Sequence, residues 1–373
     1  MAHLLSRSLR QGPRGAAAER GAGASAALRG WIALTLLCVG APAGAAPSFA
    51  VTEKREPCAE RDPLRRPLFG DTHVHTTYSF DANTQDTRNT PRDAYRFAKG
   101  EPMGIKPYDE NGKALRTIRL DRPLDFVALS DHAELLGEVH ICRTPGVEGN
   151  DSIICMVQRN LPSLARQLIA GRTLVGKSRW GICGEDGELC REKTQLVWQD
   201  IQAAAEEAYD RSAACKFTSF VGYEWTASVG DGQNLHRNVI FRNEKVPALP
   251  VSWVETPSAS DLWDVLQEKC VDGLPGCDAL TIPHNSNLSG GLIFRSAKVT
   301  GPEDEGIPVD AAVAKRRRRW EPLVEIMQHK GDSVCESGFD TEVPLCNFEN
   351  LPYDRFGAKF SWFVDEQRAE PPN

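Results

Sequence analysis

Gly70-Asp71-Thr72-His73-Val74-His75-Thr76 sets two histidines one residue apart, directly behind the apolar Pro67-Leu68-Phe69. In a β-strand residues i and i+2 share a face, so both imidazoles point the same way. Asp81 follows in the next loop. Imidazoles and a carboxylate gathered at a strand end make the first half of a divalent-metal site. An isolated His-x-His more often packs or hydrogen-bonds without metal, so the weight falls on the rest of the chain. There Asp131-His132, Glu224, His236, His284 and His329 each end or adjoin a short apolar run, and only His140 sits in ordinary loop sequence.

A His/Asp/Glu set without thiolates suits Zn, Mn or Fe, with Ni also admissible. Glu224 offers a carboxylate able to bridge two ions. Two ions about 4 Å apart would generate a hydroxide near neutral pH and clamp a transferring phosphoryl group. Asp131 is placed either as a ligand or as the group that orients an imidazole, and Asp71 could do the same for His73. Asp81, Asp131 and the anion-contacting Arg237 are the candidates for direct catalytic roles, while His329 and Lys330 would touch substrate or support the scaffold. No Gly-x-Ser-x-Gly turn is present, which disfavours a serine nucleophile.

These side chains need elements to carry them. Pro91 to Ala98 reads as a short helix with proline near its start. Residues 99–120 carry the turn signals of a β-hairpin. Leu124 to Leu129 is a compact apolar run suited to a buried parallel strand, and it ends in Ser130-Asp131-His132. Residues 133–193 read as a cysteine-rich insertion with a helix near 156–170, followed by a helix over 194–212. Phe217 to Tyr223 would be a strand delivering Glu224, and the return arm of the next hairpin would carry His236. Ser258 to Asp261 has capping-box spacing and opens a helix to about Cys270. Ala279 to Pro283 and Leu323 to Met327 would be strands ending in His284 and in Gln328-His329. Strands alternating with helices, each ending in a ligand-type residue, predict a parallel sheet closed as a barrel, with its site at the C-terminal strand ends.

Residues 1–46 are a separate population: five arginines, one glutamate, an apolar run from Trp31 to Val39, and Ala43-Gly44-Ala45-Ala46. That is the layout of a secretory signal peptide, with an apolar run too short to span a membrane. Without those five arginines and one glutamate the formal net charge falls from −7 to −11, so a nucleic-acid partner is not expected. The basic run Lys315 to Arg319 reads as a solvated helix face. Ten cysteines follow residue 46. Proximity suggests the pairs 142–155, 183–190, 270–277 and 335–346, with Cys58 and Cys215 left over. The even count and the signal peptide together suggest secretion into an oxidising compartment such as a bacterial periplasm. Residues 47–66 read as an extended lead-in and 366–373 as an unstructured tail. The oligomeric state is left open.

The opening motif Gly70 to Ala82 resembles that of the PHP (polymerase and histidinol phosphatase) superfamily, and more specifically the DUF3604 family. Asp125 to His132, Val221 to Thr226, His236 to Phe241, Ile282-Pro283-His284-Asn285 and Glu325-Ile326 extend the match over about 67–365. The resemblance implies a distorted (β/α)7 barrel with two or three divalent ions that hydrolyses phosphate mono- or diesters. By motif, His73, His75, Glu224, His236 and His284 would be metal ligands, and Asp81 and His132 would serve a third position. The late Asp-x-His of such proteins does not occur after Glu336. The expectation is therefore a C-terminally truncated member, with the alternative of a catalytically impaired metal-binding protein. An amidohydrolase is the other rival, disfavoured because Glu224 stands where a bridging lysine is wanted.

Overall fold

The computed structural model describes residues 53, 55–60, 66–169, 171–172, 176–229, 233–289, 291–294, 309–328 and 331–332. Gly70–Val74 forms β1, which holds His73, with His75 just past its end. A short helix α1 (Phe80–Thr84) carries Asp81 in its first turn. In α2 (Pro91–Ala98) the Thr90 side chain accepts the Asp93 N–H while the Asp93 carboxylate accepts the Thr90 N–H, and Pro91 opens the helix. Such a cap stabilises a helix by about 1 kcal/mol. The expected hairpin is present as β2 (Met103–Tyr108) and β3 (Ala114–Ile118), paired antiparallel. The apolar run becomes β4 (Phe126–Leu129), parallel to and between β1 and β5 (Thr218–Phe220).

The cysteine-rich segment between β4 and β5 holds α3 (Leu136–Arg143), α4 (Ile153–Asn160) and α5 (Pro162–Ile169), followed by the long α6 (Glu188–Ala208). The one helix expected near 156–170 is two, because Pro162 has no N–H to continue α4 and instead begins α5. The helix expected over 194–212 starts earlier, at Glu188. It lies close on α3 at Gly137, where a Cβ would stand 2.1 Å from the Cys190 carbonyl oxygen.

The strand expected over 217–223 is split between two sheets. β6 (Gly222–Trp225) leaves β5 and pairs antiparallel with β9 (Arg237–Phe241), after the small ladder of β7 (Ser228–Val229) and β8 (Gln233–Asn234). The break requires glycine: at Gly222 a Cβ would lie 2.8 Å from the Leu129 carbonyl oxygen and 2.9 Å from that of Val239. Ser258 caps α7 (Ala259–Leu266) by accepting the Asp261 N–H. β10 (Ala279–Pro283) then pairs antiparallel with β9. The basic run lies on α8 (Ala311–Trp320), where Arg316 pairs with Asp264, Arg317 with Glu321 and Arg319 with Asp278. A two-residue ladder joins β11 (Met327–Gln328) and β12 (Gly331–Asp332).

The expected (β/α)7 barrel is overturned. Among the described residues there are two three-stranded sheets, ordered β1-β4-β5 and β10-β9-β6, and three two-stranded ladders, none of them closed. Only the first three-stranded sheet is parallel. The short connection from β6 through β7 and β8 to β9 suits antiparallel pairing, since a parallel return needs a long crossover. The strand expected over Leu323 to Met327 is also absent from most of its span, and Leu323, Val324, Ile326 and Met327 are exposed.

The main core gathers between the helices and both three-stranded sheets, with Trp198, Trp225, Trp253, Trp263 and Trp320 all fully buried. Disulfides join Cys142 to Cys155, Cys183 to Cys190 and Cys270 to Cys277, and the leftover Cys58 and Cys215 join across 157 residues. Four bridges are consistent with an oxidising location. The signal segment 1–46, the tail 366–373, the pair Cys335 and Cys346, and His329 and Lys330 lie outside the described residues. Among those described, no helix is long and apolar enough to cross a membrane.

Candidate metal centre

Both three-stranded sheets send donors to one place. β1 supplies His73 and, just past its end, His75, and the segment after β4 supplies His132, which bridges in parallel to Glu224. β6 supplies Glu224, whose backbone N–H donates to the Asp131 carbonyl at 3.0 Å and so ties it to the first sheet. His236 stands just before β9 and His284 just after β10. The fully buried Glu224 is the hub. Its Oε2 lies 3.0 Å from His75 Nε2 and 3.3 Å from His73 Nε2. Its Oε1 lies 2.7 Å from His236 Nδ1, 3.1 Å from His284 Nε2 and 3.5 Å from His132 Nδ1. One carboxylate thus faces two imidazoles on one side and three on the other.

Among the described residues, four groups of three donors lie within 4.8 Å of one another: His73, His75 and Glu224; Glu224, His236 and His284; His75, Asp81 and His132; His73, His284 and Glu325. A fifth group, Glu138 with Cys183 and Cys190, offers no thiolate because those cysteines are bonded to each other.

The proton positions fit cations in the first groups. His73 Nδ1 donates to Glu325 Oε2 at 2.9 Å, and His75 Nδ1 faces Ser79 Oγ at 2.8 Å and Asp81 Oδ1 at 3.2 Å. With protons on Nδ1, the Nε2 lone pairs of both rings face each other at 3.1 Å. That separation matches two nitrogens on one tetrahedral ion with bonds of about 2.0–2.1 Å, whose span is about 3.3 Å. His284 repeats the pattern: its Nδ1 donates to the Ile282 carbonyl at 3.4 Å, which turns an Nε2 lone pair on Glu224 Oε1. Lone pair against carboxylate is repulsive unless a cation or a proton lies between.

Electrostatics sharpen this. Burial pushes His284 down to about 3, with Glu224 offsetting it only in part, so this ring is neutral and ready to coordinate. His75 goes the other way. Burial opposes its charging, but Asp81 and Glu224 outweigh burial and raise it to about 10. His73 is also raised, against burial, by Glu224 and Glu325. Burial alone would raise Glu224, yet His132 and His236 hold it well below the usual carboxylate range. Asp81 is held low by His75 and His132 in the same way. In the absence of metal the site therefore stores protons, and a cation would take their place.

An outer ring fixes the donors. Both oxygens of buried Asp131 are taken by Thr76, through its N–H at 2.5 Å and its Oγ1 at 2.8 Å, which pins the turn behind His75. Burial raises this carboxyl, and it belongs to none of the donor groups. Asp71 is exposed and accepts the His73 backbone N–H at 2.9 Å. His132 Nδ1 lies against Thr226 Oγ1, directing Nε2 toward Asp81 Oδ1 at 3.5 Å. Glu134, fully buried, accepts the N–H of Thr226 at 3.0 Å and of Trp253 at 2.8 Å.

Seven of the sequence candidates, His73, His75, Asp81, His132, Glu224, His236 and His284, are brought together. Arg237 is not among them: its Nε pairs with Glu321 at 2.7 Å, its other nitrogens donate to the Leu235 and Ile293 carbonyls, and Trp225 packs beside it. Its partners make it a structural arginine. Glu325, Thr226, Ser79 and Glu134 were not singled out as site residues. For Glu325 the available signal was an acid inside the apolar run Leu323 to Met327, which the strand expectation passed over in favour of His329.

The family model described as a protein of unknown function, DUF3604, matches residues 62–363. No curated protein and no solved structure matches the chain. With the match covering most of its length, the chain belongs to the DUF3604 family.

Proposed function

We propose that this protein is a metal-dependent hydrolase of phosphate mono- or diesters, related through its motifs to the PHP superfamily. The observation that carries the reading is Glu224, one buried carboxylate whose two oxygens face separate sets of imidazoles. Bound divalent ions would supply a water deprotonated near neutral pH and positive charge to offset a phosphoryl group. His73, His75, His236, His284 and Glu224 would hold them, with Asp81 and His132 at a further position. Ser79 and Glu325 keep the His75 and His73 rings in the tautomer that turns Nε2 inward. Among the carboxylates of the donor groups Asp81 is the most open, with its side chain 33% exposed, and it lies beside His132. Glu224, rather than a lysine, spans the two halves, which favours ester over amide substrates. The disulfides suit an oxidising compartment, and the periplasm is our reading.

The test is to load stripped protein with Zn, Mn or Fe and assay phosphate mono- and diester panels beside an amide panel. Ester hydrolysis lost in Glu224→Gln is the expected result. A metal-replete protein that cleaves amides alone, or nothing, refutes the reading.

A further inference from the structure

The outer face of the cysteine-rich segment is not used by the metal centre. The chain has 51 acidic residues, yet 152–184 contain none, while they hold Arg159, Arg166, Arg172, Lys177 and Arg179. Helices α4 and α5 lie in this stretch. On α4, Ile153 (77% exposed) and Met156 stand three residues apart and share a side; on α5, Leu164 and Leu168, four apart, also share one, with Leu161 (55% exposed) just before the helix. The inward side is already packed. Cys155 is bonded to Cys142, Ala165 is buried, and Ile154 and Val157 rest against the cluster of Phe80, Leu135 and Val139. The five exposed side chains are therefore surplus to the fold.

Beside them, Arg159 and Arg172 are exposed and meet neutral groups rather than carboxylates, Arg172 also lying over the Trp180 ring at 5.3 Å. Arg159 donates to the Cys142 and Asn150 carbonyls and Arg172 to the Arg179 carbonyl, so both spend hydrogen bonds on neutral groups. Arg179, by contrast, pairs with Glu138 and Glu255. The exposed apolar set is aliphatic, Ile, Met and Leu on two short helices, and no acid among residues 152–184 stands by to repel an anionic surface. Flexible aliphatic side chains beside arginines that meet no carboxylate match the boundary of an anionic bilayer, which takes them up without shape complementarity. Each helix has eight residues, too few to span, so the pair would lie in the plane of the surface.

We propose that α4 and α5 form a docking face for an anionic phospholipid surface, holding the metal centre beside a membrane. The test is co-sedimentation of the full oxidised chain with vesicles of phosphatidylglycerol and phosphatidylcholine in equal parts, and with phosphatidylcholine alone. Binding should need the anionic lipid and weaken with salt. Leu161→Ser/Leu164→Ser and Arg166→Gln/Arg172→Gln should each lower the partition coefficient about tenfold or more. These sites lie outside the core and the metal cluster, so the variants should keep parental circular dichroism and metal content. Leu164→Trp gives a readout at the face itself, a blue-shifted emission on anionic vesicles that is absent without them. No binding to anionic vesicles overturns the proposal. So does binding equal in parent and variants, or capture of the face by an acidic protein while vesicles leave the Leu164→Trp emission unmoved.

Discussion

Replacing Glu325 by glutamine removes one charge and little shape, and it tests the proton positions on which the metal centre rests. Glu325 Oε2 lies 2.9 Å from His73 Nδ1, and the side chains of the pair are 17% and 12% exposed, so solvent screens them only weakly. A hydrogen bond to a charged acceptor contributes about 1.5–3 kcal/mol, against about 0.5–1.5 kcal/mol for a neutral one. The glutamine also admits the opposite arrangement, in which its NH2 faces Nδ1 and the ring proton moves to Nε2, the nitrogen meant for the ion. The loss of roughly 1–1.5 kcal/mol corresponds to about tenfold weaker metal binding, at the low end of what loss of a ligand-orienting partner costs. The assay is competition between stripped protein and a chromophoric chelator for Zn or Mn, with circular dichroism to check the fold. Parental affinity in Glu325→Gln, alongside a loss in His73→Ala, would refute the assigned tautomer.

Three further outcomes follow from the same geometry. Glu134→Ala strips the acceptor from two buried N–H groups, Thr226 and Trp253, at about 1–3 kcal/mol each; its urea midpoint should fall sharply, while Glu134→Gln, which keeps an accepting oxygen, stays near the parent. Because Asp81 and Glu224 overcome burial and hold His75 up to about 10 in the metal-free protein, a cation must displace a proton there at lower pH. Apparent affinity measured by metal titration should therefore climb with pH by about one log unit per pH unit for that proton, toward about pH 10, and a flat profile would contradict the assignment. Loop-closure entropy ranks the disulfides: the 157-residue separation of Cys58 and Cys215 is worth about 5 kcal/mol at most and the seven-residue pairs about 2.5 kcal/mol. Thermal melts of Cys58→Ser/Cys215→Ser should fall further than those of Cys270→Ser/Cys277→Ser.

Local signals were read well because neighbours in sequence settle them. Thr90 and Asp93 make their capping box, residues 103–118 make their hairpin, and three disulfides join the cysteines nearest each other. Of the histidines expected at strand ends, His75, His132 and His284 follow β1, β4 and β10, while His73 lies within β1 and His236 precedes β9. The sheet architecture was not legible for a physical reason: an apolar run marks a buried strand without marking its direction. Ala279 to Pro283 and Arg237 to Phe241 look alike in either orientation, and they are antiparallel. The change of sheet at Gly222 depends on carbonyls of Leu129 and Val239, far away in sequence. The Cys58 to Cys215 bridge is non-local in the same sense. At the site, Glu224 was legible because it directly follows the apolar run Phe217 to Tyr223, although it lies inside β6, whereas Glu325 sits in an irregular segment that no periodicity marks.

The most direct test of a Glu224-centred metal site is to count and locate ions in the reconstituted protein, by plasma mass spectrometry and anomalous diffraction, in the parent and in Glu224→Gln. The account predicts more than one divalent ion per chain in the parent, placed among His73, His75, His236 and His284 with Glu224 between them, and loss of bound metal in the variant. A parent that takes up no ion, or a variant that keeps the full complement, would contradict it.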